Sequence, residues 1–241
     1  MPRIIAALIR HGDYHQLKNT PSAWQPFALN DEGEGHARTA AIDIDKAIKD
    51  QNWLLDSACD ASQLLRAFQT ASILGEQLVQ INSSNTSIDI TSYDALAERG
   101  VGNVANLSIS AIEEIVRNDP RYDDLPENWK SNSRFCLPFQ GAESLLDSGE
   151  RVAKHIKNAM LDLRDNLKEK QSQVDTLKLF VGHGAAFRHA AYHLGILEFE
   201  DIAKLSMYHG QPVYLELLEN NKWQHVLGNW KIRGKVTSYN D

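Results

Sequence analysis

Five side chains in this sequence carry the equipment for phosphoryl transfer: Arg10, His11, Arg66, Glu98 and His183. An imidazole can attack phosphorus and hold the group as a phosphohistidine. Guanidinium forks match phosphate oxygens two at a time. A carboxylic acid can protonate a leaving oxygen and then, as carboxylate, activate water. Such chemistry asks little covalent work of a protein, because positioning and charge stabilisation carry it. The five residues lie far apart along the chain, so only a fold can unite them.

The elements that must position them are legible as patterns. Ile4-Ile5-Ala6-Ala7-Leu8-Ile9 is an apolar run of the kind buried on both faces of a parallel sheet, and it stops on Arg10-His11-Gly12. A buried strand should not carry Arg or His inside it, which puts this pair at its carboxyl end, where open α/β sheets bind ligands. Gly12 lets the backbone turn sharply or approach a ligand. Taken alone, the triplet also reads as a solvated strand end. Leu177-Lys178-Leu179-Phe180-Val181 is a second such run and ends on Gly182-His183-Gly184. Arg66 falls in the first turn of a helix whose stripe is Leu64, Phe68, Ala71, Leu74 and Leu78, against the preference of a helix N-terminus for acids, a weak pointer to a compensating anion. Glu98 lies in a glycine-flanked loop, Glu98-Arg99-Gly100-Val101-Gly102, beyond an alternating strand at 87–91.

Helical spacing also predicts helices at about 33–50, 143–170, 185–193 and 198–205, and a short one opened by a Ser110–Glu113 capping box. A strand is expected at 54–59, and a hairpin of 212–218 with 223–227 at the sheet edge. Residues 118–142 read as an irregular excursion. The expected architecture is α/β: a three-layer α/β/α sandwich with a mostly parallel central sheet, one domain over 1–241, with specificity insertions at about 13–30 and 100–142.

A net charge of −7 argues against a general nucleic-acid binder but not against an anionic substrate, since a focused pocket can be positive on an acidic protein. Cys59 and Cys136 form no framework, there is no secretory signal and no stretch of transmembrane length, so a cytoplasmic setting with no membrane partner is expected.

Arg10-His11-Gly12, Leu64-Leu65-Arg66-Ala67-Phe68-Gln69-Thr70-Ala71, Leu96-Ala97-Glu98-Arg99 and Val181-Gly182-His183-Gly184, in this order, resemble the histidine phosphatase superfamily with its phosphoglycerate-mutase-like fold. Gly141-Ala142-Glu143-Ser144-Leu145 is similar to that family's segment before its long helix. The resemblance implies that His11 is the nucleophile, that Arg10, Arg66 and His183 hold the phosphoryl group, and that Glu98 is general acid and then base. It implies no metal and no cofactor, because the arginines supply the positive charge. Nearby arginines should keep His11 neutral. True phosphoglycerate mutases carry an aromatic where Val101 stands, a lysine where Ile109 stands, and paired arginines near Asp119-Pro120-Arg121-Tyr122. Asp13-Tyr14-His15-Gln16 likewise departs from them. These differences favour a metal-independent phosphomonoester hydrolase acting on a small phosphorylated substrate. A mutase-type phosphotransferase and a catalytically idle binding or regulatory member are the alternatives.

Asp13, His15, Arg99, Gly184 and His209 are candidate substrate contacts, each with a plain structural or solvated alternative. His189 and His193, four apart on a helix, lack a third metal ligand. His36, His155 and His225 read as structural or surface residues. Tyr14, Trp24, Phe27 and Trp129 would suit a bulky or ring-bearing leaving group, although loop aromatics more often form a satellite core. The oligomeric state is left open, with a homodimer as one expectation.

Overall fold

The computed structural model describes residues 2–82 and 87–234. A six-stranded sheet runs in the order β3-β2-β4-β1-β6-β7, built from β1 (Ile4–Arg10), β2 (Leu54–Ser62), β3 (Asp89–Tyr93), β4 (Thr176–Gly182), β6 (Val213–Leu217) and β7 (Trp223–Leu227). The first four are mutually parallel, while β6 and β7 form the expected antiparallel hairpin at one edge. A separate pair joins β5 (Leu205–Ser206) to β8 (Lys231–Ile232).

All seven residues of β1 are buried, and their alternation builds two cores. Ile4, Ala6 and Leu8 pack with Phe180 beneath α4 (Leu145–Glu169) and α5 (Gly184–His193). Ile5, Ala7 and Ile9 pack on the other face beneath α1 (Asp31–Gln51) and α2 (Leu65–Asn82), through Ala40, Ala41, Ile44, Ala67, Ala71 and Leu74. This is the three-layer sandwich, and the alanines let α1 and α2 approach closely.

Several boundaries differ from the sequence pattern, each for a local reason. Asn30 accepts from the Gly33 N–H, so α1 starts ahead of the predicted residue 33. Ser108, not Ser110, caps α3 (Ile109–Asn118), because it is the Ser108 hydroxyl that reaches the Ala111 N–H. Ser144 and Asp147 form a capping box that starts α4 at Leu145 rather than 143. β2 extends to Ser62, and α6 (Phe199–Ile202) is a single turn that gives way to β5. Phe68 is 38% exposed and leaves the stripe assigned to it. Part of the excursion at 118–142 is ordered by a third cluster, in which Trp129 and Leu137 pack with Ala23, Val101, Val104 and Ile112. Trp129 is therefore core, with its indole N–H on Glu113, and does not face a leaving group. Trp24 is 44% exposed, beside the satellite core rather than in it.

Candidate active site

Register alone brings the two histidines together. In the parallel pair β1–β4, Arg10 is opposite Gly182, so His11 and His183 each follow matched residues, and the His11 N–H donates to the Gly182 carbonyl at 2.9 Å. Neighbouring strands lie about 4.8 Å apart, and the two rings stand 5.0 Å apart. β2 pairs with β4 up to Ala61–Val181, which sets Ser62 beside His183 and starts α2 at the same end of the sheet. Arg66, in the first turn of α2, is thereby aimed at both rings.

Arg66 is fully buried, and its donors divide into two sets. One edge faces the imidazoles: Nε donates to His11 Nε2 at 3.2 Å, and Nη2 lies 3.3 Å from His183 Nδ1. The other edge is held by backbone carbonyls, with Nη1 on Gln25 and Nη2 on Ser22 and Ala23. Tyr14 covers the guanidinium at 4.6 Å and meets the edge of the His11 ring. Residues 20–25 thus form a cradle for the cation. Gln25 organises that cradle, its buried amide bonding to Leu17, Thr20 and Pro21.

The network fixes the tautomers. A guanidinium only donates and a carbonyl only accepts. His11 Nε2, facing Arg66, therefore carries the lone pair, and Nδ1–H donates to the Gly12 carbonyl at 2.7 Å. His183 Nδ1 likewise accepts from Arg66, and its Nε2–H donates to Ser62 Oγ at 2.8 Å. Burial, first, and then the charge of Arg66 push both imidazoles well below the ordinary histidine pKa, with His183 and Arg10 adding to the effect on His11 and Arg10 and Arg151 to that on His183. The arginines act in the direction the sequence suggested, but desolvation is the larger cause.

Arg10 donates Nη1 to the Met207 carbonyl at 3.1 Å, and its side chain lies against Gly184, where a Cβ would come within 3.0 Å of Arg10 Cδ. Gly184 thus makes room for Arg10. The loop after β1 is pinned twice: the Gly12 N–H donates to Thr70 Oγ1 at 3.0 Å, and the Gly12 and Gly33 backbones touch. His209 Nδ1–H donates to the His11 carbonyl at 2.6 Å, and its ring stacks on His36 and lies 5.5 Å from His11. Asp13 accepts from Asn30 and donates its N–H to His36, while His15 is exposed.

Glu98 is buried on the loop after β3, where its Oε1 accepts from the Arg99 N–H at 2.8 Å. That loop bonds to Arg151 of α4, whose charge also reaches His183. Arg99 is buried as well. Ser62, Thr70 and, its pair with Glu143 apart, Arg151 escape a sequence reading because their partners are backbone atoms or a ring seated by strand register, neither of which leaves a spacing signal. His189 and His193 diverge: the former bonds to Ser133 and the Ala185 carbonyl, the latter to the Leu146 carbonyl. Among the described residues, no group of three or more His, Cys, Asp or Glu is placed to hold a metal ion, and no helix is long and apolar enough to cross a membrane. His155 Nε2 lies 2.7 Å from Asp60 Oδ2, and Asp60 pairs with the buried Lys178 at 2.9 Å.

Comparison with known proteins shows the family. The family model of the histidine phosphatase superfamily (branch 1) matches residues 6–231. A 2,3-bisphosphoglycerate-dependent phosphoglycerate mutase of Cutibacterium acnes is 29% identical over 231 residues, covering 89% of this chain and 87% of that protein. Among solved structures, a mycobacterial hydrolase superposes with a TM-score of 0.67 at 19% identity, covering 98% of this chain and 94% of the other. A mycobacterial glucosyl-3-phosphoglycerate phosphatase superposes at 0.64 and 20%, covering 96% and 100%. The structural likenesses speak for the fold.

Proposed function

Because the chain belongs to the histidine phosphatase superfamily, we propose that it is a metal-independent phosphomonoester hydrolase that works through a phosphohistidine on Nε2 of His11. The observation that carries this reading is the Arg66 edge: a neutral imidazole presents its lone pair beside a buried guanidinium, with a second imidazole alongside. A phosphoryl group entering between Arg66 and the rings replaces two nitrogen contacts with two oxygen contacts on the same Nε and Nη2 donors.

His11 Nε2 forms the bond to phosphorus as the bond to the leaving oxygen breaks, and a protonated Glu98 gives its proton to that oxygen. The Glu98 carboxylate then takes a proton from water, whose oxygen displaces His11. Phosphate and a neutral imidazole result. Arg10 and Arg66 balance the charge on the transferring oxygens. His183 accepts from Arg66 in the free protein; in its other tautomer the Ser62 hydroxyl donates to Nε2 and the His183 Nδ1–H donates to a phosphate oxygen, with no net change in protons.

Hydrolysis is favoured over mutase chemistry by the segment from Val101 to Arg121, which includes α3. Val101 is buried and Ile109 partly buried, both in the satellite core, and Arg121 is held at the surface by Asp119 at 2.6 Å. The mutase reading draws on the relative quoted above and on Leu96-Ala97-Glu98-Arg99-Gly100. Turnover of a panel of phosphate esters with chelator present tests the proposal. Hydrolysis lost in His11→Ala supports it, whereas transfer from bisphosphoglycerate to monophosphoglycerate that outpaces transfer to water makes the protein a mutase.

A further inference from the structure

The loop that carries Glu98 is held by one ion pair. Arg151 Nη1 donates to the carbonyls of Asp94 (3.1 Å), Ala95 (2.9 Å) and Ala97 (3.2 Å). Its Nε and Nη2 reach the two carboxylate oxygens of Glu143 at 2.8 and 2.7 Å. Glu143 accepts from the Gly100 N–H at 3.1 Å and returns its own N–H to the Gly100 carbonyl at 2.9 Å. Val101 then bridges to Ala142. The chain is therefore fastened immediately before Glu98 and two residues after it, by Arg151 of α4 and by Glu143 just ahead of that helix.

An isolated surface ion pair contributes little. This one differs in its partners. Both side chains are only 27% exposed, the Arg151–Glu143 contact is bidentate, and the remaining donors satisfy carbonyls of a segment that is not part of the sheet. The Glu98 side chain accepts from the adjacent Arg99 N–H, which moves with it. Its direction is thus set by the backbone that Arg151 holds.

We propose that Arg151, backed by Glu143, is a positioning residue that aims the Glu98 carboxyl at the leaving-group oxygen. The proposal rests on the reading of Glu98 as general acid. A displaced acid penalises substrates in proportion to their need for a proton: an alcohol must be protonated as it leaves, whereas a nitrophenol leaves as the anion. A general loss of structure penalises both alike.

The experiment compares kcat/KM for an alkyl phosphate and for p-nitrophenyl phosphate in Arg151→Met, Arg151→Lys, Glu143→Gln and Glu98→Gln, with inhibition by inorganic phosphate as a check on the pocket. Arg151→Met should lose about 10²-fold on the alkyl ester and less than about threefold on the nitrophenyl ester, in the range of acid–base contributions, with phosphate inhibition unchanged. Arg151→Lys should recover part of the alkyl activity. Should Arg151→Met fail to fold, Glu143→Gln, which keeps an acceptor for Gly100 but not the charge, should show the same selectivity in smaller measure. Equal losses on both esters, or none, while Glu98→Gln discriminates between them would overturn the role of Arg151 alone. If Glu98→Gln itself does not discriminate, the reading of Glu98 falls, and the proposal with it.

Discussion

Arg66 and His11 meet nitrogen to nitrogen, Nε–H to Nε2, across 3.2 Å. On the proposed mechanism, the nucleophilic lone pair is paired in the free protein with the donor that would serve a phosphate oxygen. Removing the guanidinium should cost about 10²–10³-fold in kcat/KM, as for other preorganised charge stabilisers. Arg66→Lys should recover little, because a single ammonium cannot span both imidazoles and the carbonyls of Ser22, Ala23 and Gln25. Steady-state kinetics on one ester checks this, and a loss under about fivefold would contradict it.

Ser62 should prove a support for His183. Ser62→Ala removes the hydroxyl that lies 2.8 Å from Nε2 and serves the ring in either tautomer. A lost buried hydrogen bond of about 1–1.5 kcal/mol corresponds to about a tenfold fall in kcat/KM. The protein should remain folded, as thermal melting would register.

The histidines make stability pH-dependent in a definite direction. His209 is lowered to about 4 and His189 to about 3, each first by burial, and His11 and His183 lie well below normal. Below the unfolded value near 6.5, the unfolded chain binds protons that the folded chain refuses. Stability is therefore full above about pH 6.5 and falls as pH drops towards 4, by about 1.4 kcal/mol per pH unit for each group. Urea unfolding across this range checks the slope, which His209→Gln should reduce by about one proton.

Gly33 should tolerate no side chain. A Cβ there would stand 1.8 Å from the Asp13 carbonyl oxygen, and one on Gly12 would stand 2.2 Å from the Gly33 carbonyl oxygen, backbone against backbone. Gly33→Ala must displace the loop that begins at His11. It should cost at least the roughly 1–3 kcal/mol typical of overpacking and lower kcat/KM as well. Urea midpoints and kinetics measured together test this.

Much of the site was legible because its residues sit at the ends of strongly patterned elements. Ile4–Ile9 and Leu177–Val181 read as buried strands, and the register of their pairing in the structure seats His11 beside His183. Arg66 showed itself as a cation at a helix start. Its support was not legible: the carbonyls of Ser22, Ala23 and Gln25 belong to backbone, to which any residue type contributes equally. The same holds for Arg151, whose partners are three carbonyls and an acid ahead of its own helix. Trp129 misled for a different reason. Its excursion buries a small core of its own, which a reading tuned to long periodic segments takes for an open loop.

The central claim is that turnover passes through a phosphoryl group on His11. Rapid quenching during hydrolysis of a labelled phosphate ester should trap one phosphoryl group per chain at His11, attached to Nε2, stable in alkali and lost in acid. It should be absent from His11→Ala and longer-lived in Glu98→Gln. Steady turnover with no trapped label, or label at a residue other than His11, would contradict the account.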